Sequence, residues 1–355
     1  MTATIHQVAS RAKVSASTAS RALRDHPRIS AECVVRVKRA AASLNYRPLR
    51  RRRSNFAGER PLAGKTIGLV LLGMDRSLST VPVVADAIHG VESALTDGGA
   101  WTLLADLPDL TNAPAMLGNR QIDALLLKGA NQGDMARQIA EVVLQRFKNL
   151  PCAWFMGRPR GCIGDMVSSD DITVGRLAAE HLVSKGHRRL AVINAKPDHV
   201  IWMRREDGFM TAARRAGLEP QVFADLSAVD ATAPLRPVTE VAVVQKLIDE
   251  MLASRPRPTA VFTLVDSVAT LAYRALAVRG LRVGQDISVI SANYEPSIIS
   301  GLYPALTTID VRAREIGRRA VDQLAWRMKH REAPTAEVLI EPSLVTGESV
   351  AEVRE

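Results

Sequence analysis

Short apolar strands alternate with amphipathic helices along most of this 355-residue chain, and this alternation is its strongest structural constraint. Consecutive strands joined by helices pair in parallel, with helices covering both faces of the sheet, so the pattern predicts an α/β fold. The predicted strands are Thr66–Leu72, Trp101–Ala105, Ala124–Leu127, Cys152–Phe155, Leu190–Ile193, Ala260–Leu264 and Ser288–Ile290. The predicted helices are Val83–Thr96, Met135–Phe147, Val174–Lys185, Met203–Ala216, Val241–Ala253 and Ser267–Arg279. Because the alternation restarts after Phe155, we predict two α/β lobes with parallel sheets.

Excess positive charge is confined to the start of the chain. Residues 1–60 hold 14 Lys and Arg against 3 Asp and Glu, a net charge of +11, whereas the remaining residues carry a net charge of −1. A basic segment on a neutral body favours a polyanionic partner, with nucleic acid preferred to a membrane surface. We find no signal-peptide core, no apolar run that could span a bilayer and no metal-ligand spacing of cysteines. We therefore expect a cytoplasmic protein without a metal or other cofactor and without membrane contact.

Residues 1–48 are predicted to form an all-α head of three short helices. A hydroxyl side chain stands where each helix begins: Thr4, Ser15 and Ser30. The second helix, from Ala16 to about Arg24, consists mostly of small residues, which allow a helix to approach another surface closely. Together with the tight turn before it and the basic charge, this predicts a helix-turn-helix domain whose second helix enters the major groove of DNA.

The leading side chains of the second helix are candidates for sequence readout. Ala16 and Ser17 would meet a thymine methyl group or a base-edge acceptor, and Arg21 would fork to guanine O6 and N7. The neighbouring hydroxyls and Arg24 are better placed for phosphates. The predicted DNA contacts of the head are Thr4, Ser15, Ala16, Ser17, Thr18, Ser20, Arg21, Arg24 and Tyr46. The alternative, a merely solvated Ser/Thr surface, is disfavoured by the charge and by the three capped helices.

The head resembles that of the lactose/galactose repressor (LacI/GalR) family. The stretch TIHQVASRAKVSASTASRAL follows the pattern T-I-x-D-V-A-x-x-A-G-V-S-x-x-T-V-S-R, and ISAECVVRVKRAAASLNYRP follows V-S-x-x-T-R-x-x-V-x-x-A-A-x-x-L-x-Y-x-P. The resemblance implies that Ala16, Ser17 and Arg21 read bases. Gln7 replaces the usual acidic residue. Lys13 stands where the family usually has Gly, so a positive φ there would strain the turn by about 1 kcal/mol.

Residues 49–64, LRRRRSNFAGERPLAG, are predicted to be a basic hinge or linker, because proline, glycine and four consecutive arginines do not suit a core element. The resemblance implies a hinge helix that pushes a leucine into the minor groove and kinks the duplex. Here the leucine position is Asn55, and Phe56 is the candidate wedge. The arginines would bind phosphates or a narrow minor groove, and a disordered basic tether remains an alternative. The predicted DNA contacts of this segment are Arg50, Arg51, Arg52, Arg53, Asn55 and Phe56.

The resemblance continues through the body, in SSDDITVGRLAAEHLVSKGHRRLAVI, RREDGFMTAARRAGL and DISVISANYEPSIISGLYPALTTID. It implies a two-lobed fold like that of periplasmic sugar-binding proteins over residues 65–349. The chain would cross three times, with lobe 1 at about 65–167 plus 294–325 and lobe 2 at about 168–293 plus 326–349. A small-molecule effector is expected between the lobes, beyond the carboxyl ends of the strands.

Five residues at positions matched by the resemblance are predicted to bind the effector: Trp202, Arg205, Asp266, Asn293 and Tyr294. The Arg205 guanidinium suits hydroxyls, carboxylates or phosphates, and the two aromatic rings suit a sugar or ring face. Asn293 stands where the family usually has Asp, which leaves the identity of the effector open. The alternatives are a helix cap for Asp266, an ion pair between lobes for Arg205 and core packing for Trp202.

These features predict a sequence-specific transcriptional regulator, a repressor controlled by a sugar or sugar derivative, acting as a homodimer on a pseudo-palindromic operator in double-stranded DNA. An enzyme is not expected, because the adjacent Asp170 and Asp171 diverge and His181, His187 and His199 lack metal-ligand spacing. A solute-binding protein for transport and a sugar-modifying enzyme are the alternatives. The basic head argues against the first, and the second would require turnover of a substrate.

Overall fold

The computed structural model describes residues 5–15, 18–19, 22, 30–44, 61–74, 78–111, 122–133, 135–228, 233–235 and 239–353. The chain divides into two compact units, a head of residues 1–60 and a body of residues 61–355. Leu62, which the sequence placed in the linker, is buried in the core of the body.

The described helices of the head are α1 (Ile5–Ala12) and α2 (Ala31–Ser43), and Thr18, Ala19 and Ala22 between them are also helical. Two of the three predicted caps, Ser15 and Ser30, are confirmed, and the third, Thr4, lies outside the described residues. The Thr18 N–H donates to Ser15 Oγ at 3.1 Å, and the Cys33 N–H donates to Ser30 Oγ at 3.3 Å. The small apolar core comprises Val8, Ala9, Ala12, Ala19, Ala22, Val37, Ala40 and Ala41. Small side chains therefore let these helices pack closely.

The turn after α1 requires a left-handed backbone. Lys13 has φ +52°, and the Val14 N–H reaches back to the Ala9 carbonyl at 3.0 Å. A side chain at such a φ costs about 1 kcal/mol relative to glycine. The predicted strain at Lys13 is therefore confirmed.

The body contains two parallel sheets and a small antiparallel pair. Its described strands are β1 (Thr66–Leu72), β2 (Trp101–Leu107), β3 (Ala124–Gly129), β4 (Cys152–Phe155), β5 (Asp165–Ser169), β6 (Leu190–Asn194), β7 (Gln221–Ala224), β8 (Ala260–Phe262), β9 (Ser288–Ile290), β10 (Thr308–Asp310), β11 (Glu337–Ile340) and β12 (Ser343–Val345). The first sheet has the order β2-β1-β3-β4-β5-β11, and the second has the order β7-β6-β8-β9. Strands β10 and β12 form the antiparallel pair. The predicted α/β class with parallel sheets is confirmed.

Helices connect and cover these strands. The described helices of the body are α3 (Pro82–Gly98), α4 (Met135–Gln138), α5 (Glu141–Asn149), α6 (Asp171–Ser184), α7 (Val200–Arg215), α8 (Val241–Ala253), α9 (Asp266–Val278), α10 (Pro296–Ile299) and α11 (Ala313–Lys329). Helices α3 and α11 pack together beside the first sheet, and α6 packs closely against α7. Within the described ranges, no helix has both the length and the apolarity needed to cross a membrane.

One predicted helix is wrong as a single element. The segment predicted as Met135–Phe147 is divided into α4 and α5, because Ala140 has ψ 142°, outside the helical region. The Ala140 N–H donates to the Leu110 carbonyl at 2.9 Å instead of continuing the first helix. A hydrogen bond to a distant segment thus interrupts a sequence whose periodicity favours one helix.

The predicted course of the last crossing is also wrong in part. Residues 326–349 were assigned to the second lobe, yet β11 pairs in parallel with β5 at the edge of the first sheet. The cause is a buried ion pair. Arg327, near the end of α11, donates from Nη2 to Asp165 Oδ1 of β5 at 2.6 Å, and the Ala336 N–H donates to the same oxygen at 3.0 Å. These bonds hold the following strand on the first sheet.

Glycine permits the close packing of α6 against α7. A Cβ placed on Gly175 would lie 1.9 Å from the Arg205 carbonyl oxygen, and one placed on Gly208 would lie 2.1 Å from the Ile172 carbonyl oxygen. Both distances are far shorter than van der Waals contact, and the obstructing atoms are backbone. The two glycines therefore set the position of the α7 backbone around Arg205.

We predict that Gly208→Ala destabilises the body by at least about 2 kcal/mol, because the helices must separate to admit the methyl group. Urea unfolding followed by circular dichroism measures the change. Gly301→Ala is the matched control, since a Cβ there meets nothing within 4 Å. Equal unfolding midpoints for the two variants would show that the α6–α7 contact is not limiting.

Candidate functional site

Two of the predicted DNA contacts of the head lie within the described residues. Ser15 is exposed and caps the second helix, and its Oγ lies 2.8 Å from Thr18 Oγ1. Their contact with DNA stays a prediction. The remaining predicted contacts lie outside the described residues: Thr4, Ala16, Ser17, Ser20, Arg21, Arg24, Tyr46, Arg50, Arg51, Arg52, Arg53, Asn55 and Phe56.

Among the described residues of the body, several buried polar atoms without a hydrogen-bond partner lie near the carboxyl ends of the parallel strands. They are Asn131 Oδ1 after β3, Ser169 Oγ and Asp171 Oδ2 at the end of β5, Asp198 Oδ1 and His199 Nδ1 after β6, and Ser291 Oγ after β9. A buried polar atom left unpaired costs free energy, so folded proteins rarely keep several together without a ligand or water. The carboxyl ends of parallel strands are also where α/β folds bind small molecules.

Arg205 lies at the centre of this region. It sits on α7, is only 3% exposed, and its Nε donates to Asp171 Oδ1 at 2.9 Å. Its Nη1 donates to the Leu264 carbonyl at 2.7 Å and to Asn293 Oδ1 at 2.9 Å. The guanidinium thus joins the start of α6 to the loops that follow β8 and β9. Nη2 takes part in none of these bonds.

The hydrogen bonds continue from Arg205 toward the first sheet. Asn293 Nδ2 donates to Glu295 Oε2 at 3.2 Å, and Glu295 Oε1 accepts the Val83 N–H of α3 at 2.9 Å. Burial raises the pKa of Glu295, and burial also raises the pKa of Asp171 despite its pairing with Arg205. We call Asp171, Arg205, Asn293 and Glu295 the Arg205 network. It connects the helix pair α6–α7 with the amino end of α3.

The loop that carries Asn293 is strained. Asn293 has φ +112° and Tyr294 has φ +56°, so two consecutive side chains occupy the left-handed half of the backbone map. Such conformations cost on the order of 1–3 kcal/mol each and persist where the surroundings impose them. Here the amide of Asn293 is held from both sides, by Arg205 and by Glu295.

Asp266 braces the same loop. It is completely buried at the start of α9, where it makes no capping bond, so the helix-cap alternative is wrong. Its Oδ2 accepts the Glu295 N–H at 2.8 Å, and its Oδ1 accepts a hydrogen bond from Thr308 Oγ1 at 2.7 Å. Burial raises the pKa of Asp266 to about 7. Both oxygens are used within the protein, and a contact with an effector stays a prediction.

The two aromatic candidates lie apart. Trp202 is buried one turn before Arg205 on α7, with its ring 5.6 Å from that of His199. Tyr294 is exposed and, with Asn293 and Glu295, lines an open groove of about 1050 Å³ beside α3 and the start of α11. The structure therefore joins Arg205 to Asn293 and places Trp202 one turn away on the same helix, while Tyr294 lines the groove beside Asn293.

Sequence reasoning missed Lys128, Asp171 and Glu295 as parts of this region. Lys128 lies in β3, and burial lowers its pKa to about 7. Its sequence signal is a single charged residue in an otherwise apolar strand, ALLLKG. Burial and then the charges of Lys196, Lys128 and Arg205 lower the pKa of His199 well below its usual range. In the described part of the chain, no three His, Cys, Asp or Glu side chains are grouped to hold a metal ion.

Comparisons with known proteins match this architecture. Residues 4–48 match the family described as "Bacterial regulatory proteins, lacI family", and residues 179–350 match "Periplasmic binding protein-like domain". The HTH-type transcriptional repressor PurR of Aliivibrio fischeri (strain ATCC 700601 / ES114) is 30% identical over 359 residues, with 98% of each chain covered.

Two solved structures are similar over almost the full length. A complex of the transcriptional regulator CelR with cellobiose matches 98% of this chain and 99% of that chain, with a TM-score of 0.65 and 24% identity. A lac repressor dimer bound to operator and the anti-inducer ONPF matches 99% of this chain and 100% of that chain, with a TM-score of 0.62 and 21% identity. At these identities the two structures support the fold.

We predict that Arg205→Met destabilises the body by about 3 kcal/mol or more at neutral pH, because Asp171 is left buried without its counter-charge. The folded-state pKa of Asp171 already exceeds its ordinary value. A carboxyl group with a raised folded-state pKa lowers the free energy of unfolding as pH rises through that pKa. The loss of unfolding free energy in Arg205→Met should therefore shrink as pH falls from about 8 to about 5. Urea unfolding across that range measures it.

The double variant Arg205→Met/Asp171→Asn is the control. It removes the unpaired carboxylate, so the difference between its free energy of unfolding and that of the native protein should vary little over the same pH range. A deficit of Arg205→Met that grows toward low pH would contradict the assignment of Asp171 as the buried charge.

Proposed function

Since this chain belongs to the LacI family of bacterial regulatory proteins, we propose that it is a transcriptional repressor whose affinity for operator DNA is set by a small effector. The effector would bind at the carboxyl ends of the two parallel sheets, where the unpartnered polar atoms gather. The observation that carries the proposal is the Arg205 network, which links elements of both sheets and leaves Nη2 of Arg205 without a hydrogen bond to any described residue. The protein acts as a regulator, not as an enzyme.

DNA recognition is proposed for the head. Ala16, Ser17 and Arg21 would read base edges at the leading turn of the second helix, and Thr18 would contact phosphate. The confirmed Ser15 cap and the buried Ala19 support this helix at the expected place. The four arginines from Arg50 to Arg53 would add phosphate contacts, with Phe56 as the minor-groove wedge.

Effector binding would act through the closure of the body. Backbone hydrogen bonds already join the two lobes. The Val200 N–H donates to the Asn131 carbonyl at 2.7 Å, and the Leu235 N–H donates to the Gly73 carbonyl at 2.9 Å. An effector that bonds to Arg205, Asn293 and the face of Trp202 would bind the closed arrangement more tightly than an open one. That difference in affinity shifts the closure equilibrium and, with it, the spacing of two heads.

The ligand class follows from the fold and the relatives. The similar CelR structure contains cellobiose, and sugar hydroxyls suit the guanidinium, amide and hydroxyl groups at this site. We therefore propose a sugar or a sugar derivative as the effector. The proposed target, operator DNA, implies a cytoplasmic location.

A homodimer is proposed on the basis of the first sheet. Its edge strand β2 exposes Trp101 (72%), Leu103 (38%) and Leu104 (59%), and an exposed apolar edge is a ready surface for a second chain. The similar lac repressor structure is a dimer on operator. A two-fold dimer would place two recognition helices in grooves one turn apart, so the operator would be a pseudo-palindrome.

We predict that Arg21→Ala weakens binding to the operator by about 1–3 kcal/mol and relaxes the preference at one base pair in each half-site, because a bidentate guanine contact is lost. Selection of bound duplexes from a random pool, followed by titration of the selected sites at several salt concentrations, measures both effects. Thr18→Ala is the comparison variant and should weaken all duplexes alike. Uniform weakening by Arg21→Ala would instead make Arg21 a phosphate contact.

We predict that Leu104→Asp converts a dimer into a monomer, because a charge would be buried in the proposed contact. Sedimentation velocity measures the change. Val278→Asp is the control, since Val278 is equally apolar and 72% exposed at the end of α9, on the second sheet. A dimer that survives Leu104→Asp would place the contact elsewhere.

A further inference from the structure

Lys128 is a buried lysine that has no counter-charge among the described residues. It is 5% exposed and lies one residue before the carboxyl end of β3. Its Nζ donates to the carbonyl of the adjacent Gly129 at 2.5 Å. In the described part of the chain, no carboxylate lies within ion-pair distance of that nitrogen. Burying an ammonium group without a partner costs several kcal/mol, so the fold gains nothing from a lysine at this position.

Each of the described carboxylates discussed for this end of the sheet, Asp171 and Asp198, already binds another group through one of its two oxygens. Asp171 pairs with Arg205. Asp198 accepts the Gly133 N–H at 3.2 Å, and its negative charge favours the protonated form of Lys196, which opposes the lowering of the pKa of that lysine by burial. The charges that reach His199 from around it are all positive, which places Lys128, Lys196 and Arg205 about one small region. Asp171 balances the charge of Arg205 and Asp198 that of Lys196, so Lys128 is the cation of this group without a carboxylate.

The arrangement differs from the other buried cations of the body. Arg327 is satisfied by both oxygens of Asp165 and by several carbonyls, and Arg205 by Asp171, Leu264 and Asn293. Each of these arginines joins segments that the fold must hold together. Among the described residues, Lys128 forms a hydrogen bond only within its own strand. Its partner is therefore expected to come from outside the protein.

We propose that the effector carries an anionic group, a carboxylate or a phosphate, and that Lys128 is the residue that binds it. The effector class is then a sugar acid or a sugar phosphate, with its hydroxyls toward Nη2 of Arg205 and its ring toward Trp202. This inference rests on the proposed function, because it names the ligand chemistry of the same site. A neutral sugar would offer Lys128 no counter-charge, whereas an anionic group would stabilise its protonated form.

The first test needs no ligand. Lys128→Met keeps the length of the side chain and removes the uncompensated charge, so it should raise the urea midpoint of the full-length protein. Lys148→Met, at an exposed position of α5, is the matched control and should leave the midpoint unchanged. A clear fall in the midpoint for Lys128→Met would mean that the lysine serves the fold, and it would overturn the proposal.

The second test uses matched ligands. Melting temperatures of the full-length protein are measured with glucose, gluconate and glucose 6-phosphate, and with ribose, ribonate and ribose 5-phosphate. We expect stabilisation by at least one anionic member and not by its neutral parent. Titration calorimetry should then show that Lys128→Met weakens that ligand by more than about tenfold, whereas Lys148→Met does not. The carboxylate and phosphate members distinguish the two sources of charge.

Stabilisation by the neutral sugars alone, equal binding by the native protein and Lys128→Met, or no response to any anionic member would overturn the proposal. Duplex binding by the same preparations separates this failure from that of the proposed function. A protein that binds its operator and responds to a neutral sugar is a regulator of the proposed kind with a different ligand chemistry. A protein that binds no duplex selectively is not.

Discussion

A single buried guanidinium orders the functional region of this protein. Arg205 cannot remain charged inside the body unless its donors find acceptors, and those acceptors come from three separate parts of the chain: Asp171, Leu264 and Asn293. The requirement fixes where α6 begins, where the chain leaves the second sheet and how the strained loop at Asn293 is oriented. Through Glu295 the same bonds reach the first turn of α3 on the other sheet.

The buried ionic groups of the body have different structural consequences. Arg327 and Asp165 attach the end of α11 to β5, and the next strand, β11, is thereby held on the first sheet. Arg205 and Asp171 tie two helices to the loops near the candidate site. In both pairs the desolvation cost is offset by several directed hydrogen bonds. Lys128 lacks such a set of bonds. We therefore assign Lys128 to ligand binding, whereas the two ion pairs hold segments of the fold together.

The sequence predicted those elements whose pattern is local. The bounds of β1, β4, β9 and α8 agree with the predictions, because an unbroken apolar run or a helical period is visible within a few residues. Strands β10 and β12 were missed, because they pair with each other and lie more than thirty residues apart in the chain. The break at Ala140 and the course of β11 were predicted wrongly, because each depends on a bond to a distant segment.

The residues of the candidate site also separate into those that the sequence predicted and those that only the structure revealed. The sequence by itself determined the class of the fold, the presence of a basic helical head and its caps, the strained turn at Lys13, and the resemblance that singled out Arg205 and Asn293. These follow from local propensity, charge and motif. Only the tertiary structure decided that Asp171 neutralises Arg205, that Asp266 braces a loop and caps no helix, and that Lys128 has no acidic partner among the described residues. Pairing of buried charges is a property of three-dimensional neighbours, and residues separated by tens of positions in the chain give no sequence signal of who those neighbours are.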